Sequence, residues 1–390
     1  MPDRQTRHAV LPTPLHDEAA RQHFVFSLAH YVRSDVSPGN RDIYEHEVRP
    51  AFERANGRAP TSLHEVRRAM DDHPFFQMSS ELQRASQEML WDSVLDSIER
   101  QLPTMISTAK NVRRGKTRGS LTLDSALPIP AYVGDNHHHA MPGGYAEERA
   151  PDDVSAGALY DRGAYIYVDG NFGPLMDGIG RGVVLYIKHK FPDFQPKRIL
   201  DMGCTAGNGT LPLADIYPDA EIHAIDVSAA CLRYGHARAE SLGKAIHFSQ
   251  QNAEHTKFPD GHFDLIVSGA LLHEMAHSAV LNLIGECRRL LRPGGLMVHS
   301  EQPPYRGVEV YQQWVRDWDC RNNNEPFWTR IHSMNLPEEA VKAGFSADKV
   351  FEDRGYAPSV AAQVTAAVAA DKVMGSPRGA RRHYLFCAFK

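Results

Sequence analysis

The stretch "RILDMGCTAGNGTLPLADIYPDAEIHAIDVS", Arg198 to Ser228, limits what this chain can fold into more than any other. It reads as an apolar strand, a glycine loop, a helix, and a second strand closing on Asp226. A strand that feeds a helix through glycines and returns to another strand opens a parallel α/β sheet, with its ligand at the carboxyl ends of the strands. From about residue 160 the same alternation continues. Strands are expected at "RILDMG", "EIHAIDV", "AIHFSQQ", "FDLIVSG", "LMVHSEQ", "DKVFEDRG" and "HYLFCAFK", with helices on both faces.

The glycine spacing bears on the ligand. A dinucleotide loop reads Gly-x-Gly-x-x-Gly, which lets a pyrophosphate approach backbone amides at a helix N-terminus. Here Gly203, Gly207 and Gly209 give Gly-x-x-x-Gly-x-Gly, preceded by Asp201. A carboxylate at that point repels a pyrophosphate in a poorly solvated crevice. It suits a nucleoside that carries an ammonium and a sulfonium, as S-adenosyl-L-methionine (SAM) does. Asp226 can take both ribose hydroxyls, a role that nicotinamide and SAM sites share. Asn252 and Ala253 follow the third strand, where an amide can meet an adenine edge. An amphipathic helix then leads through "RPGG" into a fifth strand.

With these motifs in order, the chain resembles class I SAM-dependent methyltransferases, in particular the group that includes the ubiquinone and menaquinone methyltransferases. The resemblance covers about residues 195–300 well and 335–390 loosely, and does not reach the first 150. It implies a Rossmann-like seven-stranded sheet and SAM as cofactor. By the same resemblance Asp201, Gly203, Cys204 and Gly207 surround the methionine part, Asp226 and Val227 the ribose, Asn252 and Ala253 the adenine, and Ser268 the cofactor's middle. The family's first motif has glycine where this chain has Thr205, and usually aspartate where it has Asn252. Only a positive φ or a very close approach demands glycine, so Thr205 is expected to tune the loop, its hydroxyl helping to cap the next helix.

Methyl transfer asks the protein to hold a nucleophile near the methyl and to remove a proton where there is one. His273 and Glu274, after the fourth strand, fall beside the expected methyl position. His273 is the leading candidate base, with bracing of the next helix as the alternative. Tyr145, Tyr160 and Tyr165 precede the first motif, where members of the family often close a flap over SAM. Glu301 and Gln302 end the fifth strand towards the pocket. Trp314, Trp318, Phe327 and Trp328 either wall a substrate pocket or pack against the amino-terminal helices. In "DNHHHAMPGGY", His137 and His139 share one face if extended. A metal site, a substrate contact by a histidine such as His139 or by Tyr145, and plain loop packing are the three readings; no carboxylate or cysteine partner at ligand spacing stands out, so no metal is assigned.

Residues 16–105 read as helix throughout, with Trp91, Val94, Leu95, Ile98 and Leu102 forming one stripe before Pro103 ends it. Residues 106–155 read as a linker or ordered loop. Two domains are expected: a helical one with its irregular linker at 1–155, serving as substrate lid or dimerisation surface, and the SAM-binding one at 156–390. The long amphipathic helices allow a homodimer.

The 390-residue chain has a net charge of −5, which gives no electrostatic case for nucleic acid or an anionic membrane. It has no apolar run of about 18 residues to span a bilayer, and no signal-peptide pattern at its start. Five scattered cysteines without a Cys-x-x-Cys pair point to a reduced, cytoplasmic protein. The expected function is SAM-dependent methylation of a small organic molecule on O, N, S or an activated carbon, in secondary metabolism. Attack on another sulfonium carbon, giving cyclisation or aminocarboxypropyl transfer, is one alternative. A non-catalytic SAM-fold partner protein is another, and the glycine spacing argues against a nicotinamide oxidoreductase.

Overall fold

The computed structural model describes residues 4–361 and 382–390. Its centre is an eight-stranded sheet: β1 (Ser120–Thr122), β2 (Arg198–Met202), β3 (Glu221–Asp226), β4 (His247–Gln250), β5 (Phe263–Gly269), β6 (Leu291–Glu301), β7 (Val350–Tyr356) and β8 (Arg382–Phe389). The spatial order is β1-β4-β3-β2-β5-β6-β8-β7. Pairing is parallel except that β8 runs antiparallel to β6 and β7. The chain winds outward from β2 through β3 to β4, then crosses to β5 on the other side of β2. That reversal leaves a crevice above the carboxyl ends of β2, β3 and β5.

Strand alternation divides the core between the two faces. Ile199, Leu265 and Val267 pack beneath Val183, Val184 and Ile187 of the Gly178–Lys190 helix. Leu200, Met202 and Ile266 pack against Val280, Leu283, Ile284 and Cys287 of the His277–Leu290 helix. Both faces are covered, so β2 and β5 are almost continuously buried, as central strands of a parallel sheet must be.

Two expectations about the amino-terminal half are corrected. The long helix runs Pro74–Arg114, straight through Pro103. Met105 and Ala109 join Trp91, Val94 and Ile98 in one buried cluster with Ala158, Leu159, Tyr234 and Ala237, and this burial outweighs the hydrogen bond that proline forfeits. The segment after it is not all loop. Ser120–Thr122 adds an eighth strand beside β4, anchored by the Arg118 and Gly119 amides, which donate to the Glu240 carboxylate at 2.7–3.0 Å.

The two halves share a core. The expected boundary at 155/156 falls at the start of the Ser155–Tyr167 helix, which lies between the long helix and the Ala229–Ser241 helix. Asp161 on that helix is fully buried. It accepts from Tyr234 Oη (2.9 Å) and Asn208 Nδ2 (2.8 Å), and lies 3.0 Å from His8 Nε2 and 3.5 Å from Arg238 Nε. Burial opposes its charge, but Arg238 and His8 beside it hold the carboxyl well below the usual range. One carboxylate thus ties the amino-terminal arm, the glycine loop and two helices together. Among the described residues no helix is long and apolar enough to cross a membrane, and all five cysteines are free.

Candidate functional site

Above β2, β3 and β5 opens a cleft. Its cofactor end begins where β2 breaks into the glycine loop. Gly203 adopts φ +68°, and the Gly203 and Cys204 amides both donate to the Ile225 carbonyl, at 2.9 and 3.0 Å. Thr205 itself sits at φ +49°, which corrects the expectation that it avoids a glycine-demanding position. It is not a helix cap either, since the next helix starts only at Leu211. Its backbone N–H donates to Asp226 Oδ2 and that of Ser228 to Oδ1, both at 2.9 Å. These bonds fix the carboxylate at the rim of the cleft. Burial raises its pKa, and neither a lysine nor an arginine lines the cleft around it.

Gly203, Asp226, Val227, Asn252 and Ala253 line this end, joined by Thr205, Ile225, Gln251, Gly269, Ala270 and Leu271. The Asn252 amide oxygen accepts the Glu254 N–H at 2.9 Å, so that side chain is partly engaged in its own turn. Four expected contacts lie behind the lining instead. Asp201 is 4% exposed and accepts from Thr210 Oγ1 at 2.6 Å, with burial pushing its pKa up to about 7. Cys204 is buried in the sheet core, Gly207 turns towards the Phe248 ring, and Ser268 is bonded to His299 Nδ1 at 2.7 Å. These four build the floor of the cleft.

The opposite end gathers histidines and carboxylates. His138 and His139 form one turn of 3₁₀ helix in which His139 takes φ +57°. The chain is therefore not extended there: His137 is exposed, whereas its two neighbours turn inward. His139 Nε2 lies 3.2 Å from Glu274 Oε1, and Tyr145 Oη donates to the same oxygen at 3.2 Å. His138 Nε2 lies 3.3 Å from Glu274 Oε2. Burial disfavours the Glu274 charge, but His138 and His139 hold its carboxyl below the ordinary range. Burial keeps Tyr145 a phenol, with Glu274 reinforcing the effect.

His273 lines the cleft, with Nδ1 2.5 Å from Glu301 Oε1. Burial opposes its charge, but Glu301 raises the pKa to about 9. At neutral pH the ring is an imidazolium, a poor proton acceptor, which corrects its expected role as a free base. Glu301 accepts the Leu272 amide at 2.8 Å behind it, and so orients His273 without lining the cleft. The Trp328 ring stands 4.6 Å from His273, and Phe327 stands 6.5 Å from His138. Trp314 and Trp318 lie elsewhere, in an aromatic cluster with Tyr44, Val66, Met70 and Phe76. Tyr165 packs with Ala164 and Met176 and is also away from the lining. The sequence reading missed Glu325, fully buried between Asn324 and Pro326, whose carboxylate lies 2.8 Å from His139 Nδ1. It also missed His138 and Tyr132. The signal for Glu325 was a lone acid in an otherwise amide- and aromatic-rich run, "RNNNEPFW".

A family model described as a methyltransferase domain matches residues 199–295. The demethylmenaquinone methyltransferase of Thermus thermophilus is 34% identical over 109 residues, covering 28% of this chain and 49% of that protein. A malonyl-[acyl-carrier protein] O-methyltransferase of a Paenibacillus species is 33% identical over 157 residues, 39% of this chain and 56% of its own length. A ubiquinone biosynthesis O-methyltransferase of Cereibacter sphaeroides is 29% identical over 142 residues, covering 35% and 55%. The chain thus spans about half the length of the curated relatives it matches. Residues 199–295 form a class I SAM-dependent methyltransferase domain, and its cofactor is S-adenosyl-L-methionine. The cleft fits that molecule: Asp226 offers its remaining lone pairs to a diol, and the glycine-loop end around it holds no lysine, arginine or histidine to neutralise a pyrophosphate.

Proposed function

We propose that this protein transfers the methyl group of SAM to a small organic molecule bound between the glycine loop and the His138–His139 turn. The observation that carries the reading is the cleft itself. An end without lysine or arginine, with the Asp226 carboxylate at its rim, runs directly into a polar pocket lined by His139, Tyr145, His273 and Glu274. Bound there, SAM supplies an electrophilic methyl whose bonding electrons stay on sulfur, leaving S-adenosylhomocysteine.

The chain's own groups have three tasks. Glu274 stays ionised beside the pocket, so it accepts a hydrogen bond from an acceptor O–H or N–H and turns its lone pair towards the methyl, the proton leaving to water. Tyr145 and His139 hold that carboxylate in place through its Oε1. The His273–Glu301 pair presents a fixed N–H at the junction of the two ends, which favours an acceptor carrying negative charge beside the methyl. Tyr132, Val133, Tyr160 and Met275 bring apolar surface to the cleft, suited to an aromatic or aliphatic body of quinone or acyl type.

The test is turnover with SAM and a panel of phenols, hydroxyquinones and carboxylic acids, followed by mass spectrometry. S-adenosylhomocysteine together with an acceptor 14 Da heavier (the methylene increment of any methylation) supports the reading. Methylthioadenosine as the nucleoside product replaces it with aminocarboxypropyl chemistry, and the absence of either product from a protein that binds SAM leaves a non-catalytic partner.

A further inference from the structure

The acceptor end holds more buried charge than methyl transfer requires. His139, Glu274 and Glu325 each offer one ligand atom, and those atoms all lie within 4.8 Å of one another. The three come from separate segments, His139 and Glu325 being 186 residues apart. Glu325 Oε1 accepts the His139 backbone N–H at 2.8 Å, but Glu325 Oε2 has no hydrogen-bond partner. Glu274 Oε2 meets only His138 Nε2, at 3.3 Å and outside hydrogen-bond geometry, and fully buried His138 has no partner at Nδ1.

No lysine or arginine pairs with Glu274 or Glu325 among the described residues. The two carboxylates share one ring between them, His139, at 3.2 and 2.8 Å, and a single ring charge leaves one of the two buried negative charges uncompensated, which costs about several kcal/mol. Buried polar atoms without partners are rare in native proteins, so the free Glu325 oxygen calls for a missing occupant.

A divalent ion meets the demand of both carboxylates. With bonds of about 2.0–2.2 Å, ligand atoms on opposite sides of such an ion stand roughly 4.2 Å apart, close to the spacing found here. Tyr145, bonded to Glu274, then acts as the outer partner that orients a ligating carboxylate. One imidazole nitrogen, two carboxylate oxygens and no sulfur suit Mn²⁺, Fe²⁺ or Zn²⁺ better than Mg²⁺ or a thiolate-seeking ion.

We propose that His139, Glu274 and Glu325 bind one divalent first-row metal ion at the acceptor end of the cleft, leaving positions open for an oxygen of the molecule to be methylated. The site itself stands on the geometry; its role towards the acceptor rests on the methyltransferase reading above. A ligated hydroxyl loses its proton more easily, so the ion favours an enol, phenol or hydroxy acid over an amine.

The test uses the full chain, stripped with a chelator and titrated with Co²⁺ while its d–d absorption is followed, then with Mn²⁺ by electron paramagnetic resonance. The expected result is saturable binding of one ion per chain, weakened at least about tenfold in Glu325→Gln and in Glu274→Gln. Glu325→Gln keeps an oxygen for the His139 amide, and circular dichroism with S-adenosylhomocysteine calorimetry verifies that each variant is folded. S-adenosylhomocysteine should bind equally with and without the ion. No Co²⁺ spectrum, or unchanged affinity in both variants, overturns the metal site while leaving the methyltransferase reading intact. Metal binding without any affinity for S-adenosylhomocysteine has the opposite effect, keeping the site and removing the methyltransferase reading.

Discussion

Gly180→Ala tests how the cofactor loop is supported. Gly180 lies in the Gly178–Lys190 helix, where an added Cβ would stand 1.9 Å from the Gly209 carbonyl oxygen and 2.6 Å from its carbonyl carbon. Ordinary contact begins near 3.4 Å, so helix and loop must part by about 1.5 Å. Forced overpacking costs about 1–3 kcal/mol, and the upper end applies because both surfaces are backbone. At roughly 1.2 °C per kcal/mol for a 390-residue chain, the melting temperature should fall by about 4 °C. The displaced loop also carries Thr205, whose N–H fixes Asp226. The affinity for S-adenosylhomocysteine should therefore drop about tenfold or more, roughly 1.4 kcal/mol. Thermal melts and calorimetry on the purified variant measure both effects. A variant that melts within about 1 °C of the parent and binds the ligand equally well refutes the reasoning.

Three further outcomes are expected. Asp161→Asn leaves Arg238 buried without its anion and should destabilise the chain by about 3–5 kcal/mol in urea unfolding; a loss below about 1 kcal/mol contradicts the hub role. Thr205→Gly relieves a β-branched residue at φ +49°, worth about 1–2 kcal/mol, against about 0.5–1 kcal/mol of extra unfolded-chain entropy. A net gain of up to about 1 kcal/mol should appear as a higher urea midpoint, and a clear loss would mean that the side chain matters. The Asp201 carboxyl, raised to about 7 in the fold, holds its proton more tightly folded than unfolded. Its contribution is thus fully present below about pH 4 and lost as pH rises through 7. Urea midpoints of the ligand-free protein at pH 5 and 8, compared with those of Asp201→Asn, should show a smaller pH dependence in the variant.

The sheet was legible because parallel strands announce themselves as short apolar runs, and Ile199 and Leu200 alternate faces as period two requires. The glycine-loop end of the cleft was legible because its lining is local: Gly203, Asp226, Asn252 and Ala253 all follow strand ends in sequence. The floor was harder. Asp201 and Ser268 have the right spacing, but whether a strand-end side chain faces ligand or core depends on partners such as Thr210 and His299. The helix through Pro103 illustrates the same limit, since the tertiary burial of Met105 and Ala109 overrides a local breaker. The His139–Glu274–Glu325 group could not be read at all, because three distant segments meet there only after folding.

The central claim is that a cationic nucleoside without phosphate occupies the crevice over β2 and β3. Competitive calorimetry on the purified chain tests it most directly, with SAM, S-adenosylhomocysteine and NADH titrated under identical conditions. The account predicts saturable heats with the first two, and none with NADH. Binding of the dinucleotide, with no heat from either sulfur nucleoside, would contradict it.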